Sequence, residues 1–186
     1  KLQGARRVFA SDPISIRREL AAKHGVDVVI DPIADDAGEL IRDETDNAGV
    51  DISIEVSANY AGMNDAIRST GYAGRIVSAA YYVGDSSILS LEGEWHRNQL
   101  TIVSTRNANP TLRNAPRWDR QRLQAVAFEL LQKGKLSVEG LVQPIVSFEY
   151  CVGSYLAIGQ QAEESIKLDI CHTWGWCCST AKVGKE

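Results

Sequence analysis

Several features that assign a chain to a class are scarce in this sequence of 186 residues. No apolar run approaches the roughly 18 residues that span a bilayer, so no membrane role is expected. Three of the four cysteines lie within the last 16 residues, which is not the spacing of a disulfide framework. This usage predicts a reducing, cytoplasmic location. The net charge of −4 and the lack of a basic stripe argue against nucleic acid as a partner.

Two motifs of nucleotide-dependent enzymes are also missing. The G-x-G-x-x-G loop that cradles a dinucleotide pyrophosphate does not occur in the chain. None of the six tyrosines has a lysine four residues later, which excludes a short-chain dehydrogenase. A methyltransferase is disfavoured as well, because it would need a Gly-rich loop after its first strand.

The composition that remains is that of an ordinary globular protein, with 44% apolar and 24% charged residues. The length allows one domain or one and a half, with a sizeable core. Apolar patterning predicts strands at residues 7–11, 28–30, 50–56, 75–80, 87–91, 100–104 and 165–170, with an extended stretch at 142–148. Helices are predicted at 13–24, 37–45, 60–69, 118–133 and 152–161, and a loop at 107–116. This alternation predicts one mostly parallel sheet with right-handed crossovers.

The first acidic residue of the chain has a distinctive setting. Residues 1–12 read as a helix end, a Gly turn, a short apolar strand and then Asp12. In a dinucleotide-binding βαβ unit, an acid in this place follows the Gly-rich loop by about 20 residues and holds the ribose hydroxyls. The alternative is that Asp12 caps a helix, since Asp often precedes a helix that begins with Pro.

The order of these pieces resembles the medium-chain dehydrogenase/reductase family, and more narrowly its zinc-dependent alcohol and threonine dehydrogenase-like members. The resemblance is carried by RRVFASDPISIRRELAAKHGVDVVIDP, VDISIEVSANYAGMNDAIRSTGYAGRIVSAA and EWHRNQLTIVSTR, followed by RWDRQRLQAVAFELLQKGKL. It extends from Lys1 to about Ile170. It implies an α/β, Rossmann-type parallel sheet with flanking helices, truncated before its second strand. The implied domains are a partial dinucleotide-binding domain at 1–106, a return segment that packs on the catalytic domain at 107–170, and a tail outside the family pattern at 171–186.

The resemblance implies five cofactor-binding residues, namely Asp12, Arg17, Ser57, Ala80 and Tyr81. Asp12 would hold the adenosine ribose and favour NAD over NADP, because a carboxylate repels a 2′-phosphate. Arg17 would lie near the adenosine, although a solvated helix face explains it equally well. Ser57 would line the adenine side, with an ordinary turn before a helix as the alternative. Ala80 and Tyr81 would lie beside the nicotinamide, with Ala where the family usually has Gly.

No catalytic residue and no metal ligand is expected in this chain, because the family's catalytic domain lies N-terminal and carries the zinc ligands. His96 and Trp95 are interpreted as structural residues. Cys171, His172, Cys177 and Cys178 lack the paired spacing of a structural zinc site.

These observations predict a fragment of an NAD-dependent, zinc-dependent alcohol or polyol dehydrogenase. The fragment itself is expected to be inactive and to bind NAD weakly, since its pyrophosphate loop is missing. The parent enzyme would act on a small alcohol. The alternative is a stand-alone, non-catalytic Rossmann-like module that acts in self-association or protein binding. A homo-oligomer is expected in either case, because the loss of a central strand exposes sheet edges.

Overall fold

The computed structural model describes residues 1–105 and 117–172 of the chain. The chain divides into two compact units. The first unit joins Lys1–Asp31 to the described chain from Gly134 onward, and the second is Pro32–Lys133. The loop predicted at 107–116 lies outside the described residues. So does most of the predicted tail, including Cys177 and Cys178.

Seven strands and six helices make up the described chain, together with 3₁₀ turns at Phe148–Tyr150 and Ala162–Glu164. In chain order they are β1 (Phe9–Ser11), α1 (Ser15–Lys23), β2 (Val28–Ile30), α2 (Ala37–Asp43), β3 (Val50–Glu55), α3 (Tyr60–Ser69), β4 (Thr70–Ser78), α4 (Glu94–Arg97), β5 (Thr101–Ser104), α5 (Arg120–Gln132), β6 (Ile145–Ser147), α6 (Cys151–Gln160) and β7 (Asp169–Cys171).

All strand pairs among these elements are parallel. The pairings are β1–β2, β3–β4–β5 and β6–β7. The predicted α/β class, with parallel strands and flanking helices, is therefore confirmed. The prediction of one continuous sheet through residues 28–30, 51–56 and 75–79 is wrong, because β2 does not share a sheet with β3 and β4.

The split has a topological reason. In the order 3-2-1-4-5-6 of a dinucleotide-binding sheet, the first strand lies between the second and the fourth. The strands β1 and β2 match the second and third of that order, and β3, β4 and β5 match the fourth to sixth. No strand of the described residues matches the first strand of that order. β1 and β3 therefore each have one edge without a strand partner in the described chain.

A second correction concerns residues 87–91, which form no strand. Asp85 accepts hydrogen bonds from the Ser87 N–H at 2.9 Å and the Ser87 hydroxyl at 2.8 Å. The N–H of Leu89 donates to the carbonyl of Ser86 at 2.9 Å. These local bonds favour a turn, which is the usual preference of Asp and Ser. The observed limits of two strands also differ from the predicted ones, because β4 begins at Thr70 and β7 begins at Asp169.

The core of the second unit lies between α3 and the β3–β4–β5 sheet. Met63 and Ile67 are one helical turn apart on α3, and they pack against Ile76 of β4 and Leu100. Trp95 packs against this cluster, so its prediction as a packing residue is confirmed.

The predicted helix at 118–133 is present as α5, and it begins where Asp119 accepts a hydrogen bond from the Arg122 N–H at 2.8 Å. None of its side chains is buried by the described residues. Phe128 is 66% exposed. No packing of this helix against a sheet is therefore seen in the described chain.

Candidate functional site

Asp12 lies directly after β1, at the carboxyl end of the β1–β2 sheet. Its N–H donates to the carbonyl of Ile30 at 3.2 Å. One carboxylate oxygen accepts from the N–H of Ile14 at 2.8 Å, and the side chain is 31% exposed. The helix N-cap residue is Ile14, which has no side-chain cap. The carboxylate therefore closes a turn before α1 and keeps acceptor capacity for another donor.

Two neighbouring arginines beside Asp12 differ in their contacts. Arg18 donates to the carbonyl oxygen of Asp12 at 2.7 Å and pairs with Asp31 at 2.8 Å, and its side chain is 19% exposed. Arg17 lies 3.8 Å from the second carboxylate oxygen of Asp12, with 41% of its side chain exposed. Arg18 thus has a structural role in holding this turn, whereas the guanidinium group of Arg17 is more exposed.

Ser57 lies in the turn that follows β3, where it contacts a buried carboxyl group. Its N–H donates to Glu55 Oε1 at 2.7 Å, and its hydroxyl donates to the same oxygen. Glu55 is 5% exposed, and its Oε2 has no hydrogen-bond partner among the described residues. An unsatisfied buried polar atom of this kind costs about 1–3 kcal/mol, so it marks a site where something other than stability decides the residue.

The same turn carries two further constraints. Ala58 has a φ of +61°, a conformation that a non-glycine residue rarely adopts. Gly62 of α3 lies so close that a Cβ there would come within 2.8 Å of Ser57 Oγ. The chain therefore holds Ser57 in a strained, closely packed turn at the carboxyl end of the sheet.

Ala80 and Tyr81 follow β4 at that same end. Ser78 pairs with Glu55 in the sheet, and the N–H of Ala79 donates to the carbonyl of Glu55 at 2.9 Å. Tyr81 is 86% exposed. At the edge where Ser57 lies, Tyr81 is therefore exposed and Ala80 is half-buried.

The next tyrosine points into the fold instead. The ring of Tyr82 stacks on that of Tyr60 at 5.1 Å, and its hydroxyl is buried without a partner in the described chain.

Four of the five predicted cofactor-binding residues, Asp12, Ser57, Ala80 and Tyr81, follow the carboxyl ends of parallel strands, where open α/β sheets bind ligands, and Arg17 lies in the first turn of α1. Ser57, Ala80 and Tyr81 belong to the second unit, and Asp12 and Arg17 to the first. Sequence reasoning missed Glu55. The signal that could have found it is an acidic residue two positions before Ser57, at the end of an otherwise apolar strand.

A depression of about 650 Å³ lies elsewhere on the second unit. It is lined by Gly38, Glu39, Arg42, Asp43, Asn47, Arg68, Glu94, Arg97 and Asn98. Several of these residues directly precede β4 and β5, so it opens at the amino ends of the strands. Arg68 donates a hydrogen bond to Asp36, which lowers the pKa of that carboxyl and raises the pKa of Arg68. The depression is distinct from the edge that carries Ser57.

Within 1–105 and 117–172, no three His, Cys, Asp or Glu side chains are arranged to hold a metal ion. The residues of this chain therefore do not fit a zinc site in that part of the structure. Every helix there is too short or too polar to traverse a bilayer.

The parallel α/β units, with polar groups at the carboxyl ends of their strands, define a Rossmann-type domain. The model of the zinc-binding dehydrogenase family matches residues 1–120. The chain belongs to this family, within the medium-chain dehydrogenases/reductases.

Known relatives agree with this assignment. The chain is 34% identical over 171 residues to D-guloside 3-dehydrogenase of Escherichia coli, covering 91% of this chain and 49% of that protein. It is 38% identical over 88 residues to L-threonine 3-dehydrogenase of Pyrococcus abyssi, covering 47% of this chain and 25% of the relative. The chain thus spans about half the length of the relative that it matches over most of its residues.

Solved structures share the fold at lower identity. An Escherichia coli oxidoreductase of unknown specificity superposes with a TM-score of 0.74 at 19% identity, covering 91% of this chain and 45% of that one. The 2R,3R-butanediol dehydrogenase of Bacillus subtilis gives a TM-score of 0.72 at 18% identity, with the same coverage.

Proposed function

We propose that this chain is the C-terminal part of an NAD-dependent dehydrogenase and contributes half of its cofactor site. The observation that carries the proposal is Asp12, a partly exposed carboxylate at the carboxyl end of β1 in a zinc-binding dehydrogenase domain. Its remaining lone pairs suit the two hydroxyls of a ribose. They disfavour a 2′-phosphate, so NAD is the preferred cofactor and Arg17 lies beside the adenosine.

The substrate class follows from the relatives' names. D-guloside 3-dehydrogenase and L-threonine 3-dehydrogenase are each named for a hydroxyl-bearing compound. A small alcohol or polyol is therefore the proposed substrate of the whole enzyme. Its hydride would pass to NAD, the cofactor that carries the redox chemistry. The zinc ion would be held by residues other than those described, because the donor set here does not fit it.

We also propose a domain layout for the chain and a cellular compartment. Residues 1–106 are the partial cofactor domain, 107–170 the segment that returns to the catalytic domain, and 171–186 a tail outside the family pattern. Cysteine usage supports the cytoplasm as the compartment.

Calorimetry with NAD and NADP on the 186-residue chain tests the cofactor proposal. NAD is expected to bind no tighter than roughly millimolar, about −4 kcal/mol, because donors for the pyrophosphate are missing. Asp12→Asn should weaken NAD binding and remove the preference over NADP, while Asp35→Asn serves as a surface control. A micromolar constant for NAD, or alcohol oxidation by the chain alone, would contradict the proposal.

A second function, self-association, is favoured by the distribution of apolar side chains. Among the described residues, eight apolar residues are buried and twenty-four large ones are exposed. The exposed set includes Ile52 and Ile54 on one face of β3 and Val56 directly after that strand. Parallel sheets normally have both faces covered, and open strand edges recruit other chains. We therefore propose that the chain, taken alone, forms a homo-oligomer.

A further inference from the structure

The hydroxyl group of Ser57 has its only proton committed inside the protein. It donates to Glu55 Oε1, and it accepts a hydrogen bond from the N–H of Asn59 at 3.1 Å. A serine hydroxyl offers one donor and two acceptor lone pairs. One lone pair of the exposed Ser57 therefore remains for a ligand, and no proton does.

Glu55 determines the direction in which the Ser57 hydroxyl donates its proton. Its carboxyl group is buried, and the donors it receives in the described chain are the N–H and the hydroxyl of Ser57. If the hydroxyl turned outward, the buried carboxyl would lose one of its two donors, which is unfavourable away from water. The hydroxyl proton of Ser57 therefore stays directed at Glu55 Oε1.

The backbone around the pair prevents an easy rearrangement. The left-handed Ala58 fixes the direction of the turn, and Asn59 caps α3 by accepting from the N–H of Ala61 at 2.9 Å. Gly62 approaches both Ser57 Oγ and Glu55 Oε1 so closely that even a methyl group would not fit. The acceptor is therefore preset before any ligand arrives.

We propose that Glu55 is a positioning residue that makes Ser57 a hydrogen-bond acceptor for the nucleoside part of the cofactor. This inference rests on the proposed cofactor site. The ligand group must bring a proton, so it is a hydroxyl or an amino group. A phosphate oxygen is disfavoured, because it offers mainly acceptors and meets the carboxyl group behind Ser57.

A double-mutant cycle on the full chain tests this role by calorimetry with NAD and with adenosine. Ser57→Ala and Glu55→Met, which leaves no acceptor for the Ser57 proton, should each weaken binding about 3- to 10-fold, which corresponds to one ordinary hydrogen bond. The double variant should be no weaker than either single variant. Ser57→Thr, which keeps the hydroxyl, should restore binding. Ser53 lies on β3 with Glu55, and its hydroxyl hydrogen-bonds to that of Thr70. Ser53→Ala is therefore the matched control and should leave binding unchanged.

Thermal melting of each variant separates positioning from folding. Equal melting temperatures with weaker binding support the proposal, and additive losses in the cycle overturn it. Should Glu55→Met fail to fold, Ser57→Ala with inorganic phosphate as competitor decides the matter. Phosphate that displaces adenosine in a Ser57-dependent way overturns the acceptor role. If wild type binds NAD and Ser57→Ala binds it equally well, this inference fails and the cofactor site stands. If wild type binds no NAD at about 20 mM, well above the millimolar constant expected, both fail.

Discussion

The guanidinium group of Arg42 donates a hydrogen bond of 2.7 Å to the carbonyl oxygen of Thr70, the first residue of β4. Two more bonds of 2.9 Å go to the carbonyls of Arg68 and Asn47. Arg42 on α2 thereby satisfies carbonyl groups at the junction where α3 passes directly into β4. This junction lies at the opposite end of the strands from the Ser57 turn.

Replacing Arg42 with Met should lower the free energy of unfolding by about 2–4 kcal/mol. Hydrogen bonds from a charged donor are strong, and part-buried carbonyls would lose their partners. Urea denaturation followed by tryptophan fluorescence measures the change. Arg97→Met is the control, because Arg97 lines the same depression but is exposed, and its loss should change stability by at most about 0.5 kcal/mol. Similar effects of the two substitutions would contradict the assignment.

The Asp36–Arg68 pair should make stability depend on acid pH. The hydrogen bond from Arg68 lowers the pKa of Asp36 below its ordinary value of 3.8. The pair therefore stabilises the fold above that pH, and its contribution is lost as the pH falls through the lowered pKa. Both side chains are about a third exposed or more, so the gain is under about 1 kcal/mol.

Asp36→Asn tests this dependence without removing the cap of α2. Asn also accepts the hydrogen bond that the Glu39 N–H donates to Asp36. The variant should be less stable than wild type at neutral pH and equal to it near pH 2. A difference that persists in acid would show that the ion pair is not its cause.

The carboxyl group of Asp65 should affect stability in the opposite way to that of Asp36. Burial raises the pKa of this carboxyl above its ordinary value of 3.8, although the nearby Arg68 acts against that rise. A raised acid pKa costs stability at neutral pH, and the cost disappears as the pH falls to the unfolded-state value. Asp65→Asn should therefore stabilise the chain at pH 7 and be neutral in acid, as measured by thermal melting at both values. A destabilised variant at pH 7 would mean that attraction to Arg68 outweighs burial.

Part of the fold could be predicted because it is encoded locally. The short apolar run before Asp12 predicted β1, and the helix predicted at 60–69 is α3, both at nearly their observed positions. Residues 87–91 were predicted wrongly, because apolar residues there outweighed the turn that Asp85 makes with Ser87.

The buried carboxyl of Glu55 could not be predicted from its strand. Alternation in residues 50–56 places Ile52 and Ile54 on one face and Glu55 on the other, so the apolar face is the natural choice for the core. The structure covers the Glu55 face with α3 and leaves Ile54 69% exposed. Which face is covered depends on the other elements of the fold, and this information is not local to the strand.

Arg17 and Arg18 provide a matched pair that separates stability from ligand binding. Arg18→Met removes the bond to the Asp12 carbonyl and the ion pair with Asp31, so it should cost about 1–3 kcal/mol in urea denaturation. Arg17→Met should leave stability nearly unchanged, because its contact with Asp12 is long and exposed. The same variant should weaken NAD binding in calorimetry. The reverse pattern would give Arg17 the structural role.

Self-association should be visible in sedimentation of the purified chain at micromolar concentration. In the described chain, one edge of β3 has no strand partner, and Ile52, Ile54 and the following Val56 are exposed, so this edge combines unpaired backbone with apolar surface, the two features that recruit another chain. We expect a species heavier than the 20.4 kDa chain. Ile54→Lys should shift it toward the monomer, because a charge would then be buried at the contact. Val83→Lys changes an equally exposed residue outside the strands and should have no effect. A single 20.4 kDa species for wild type would refute self-association, and an unchanged oligomer in Ile54→Lys would move the contact away from β3.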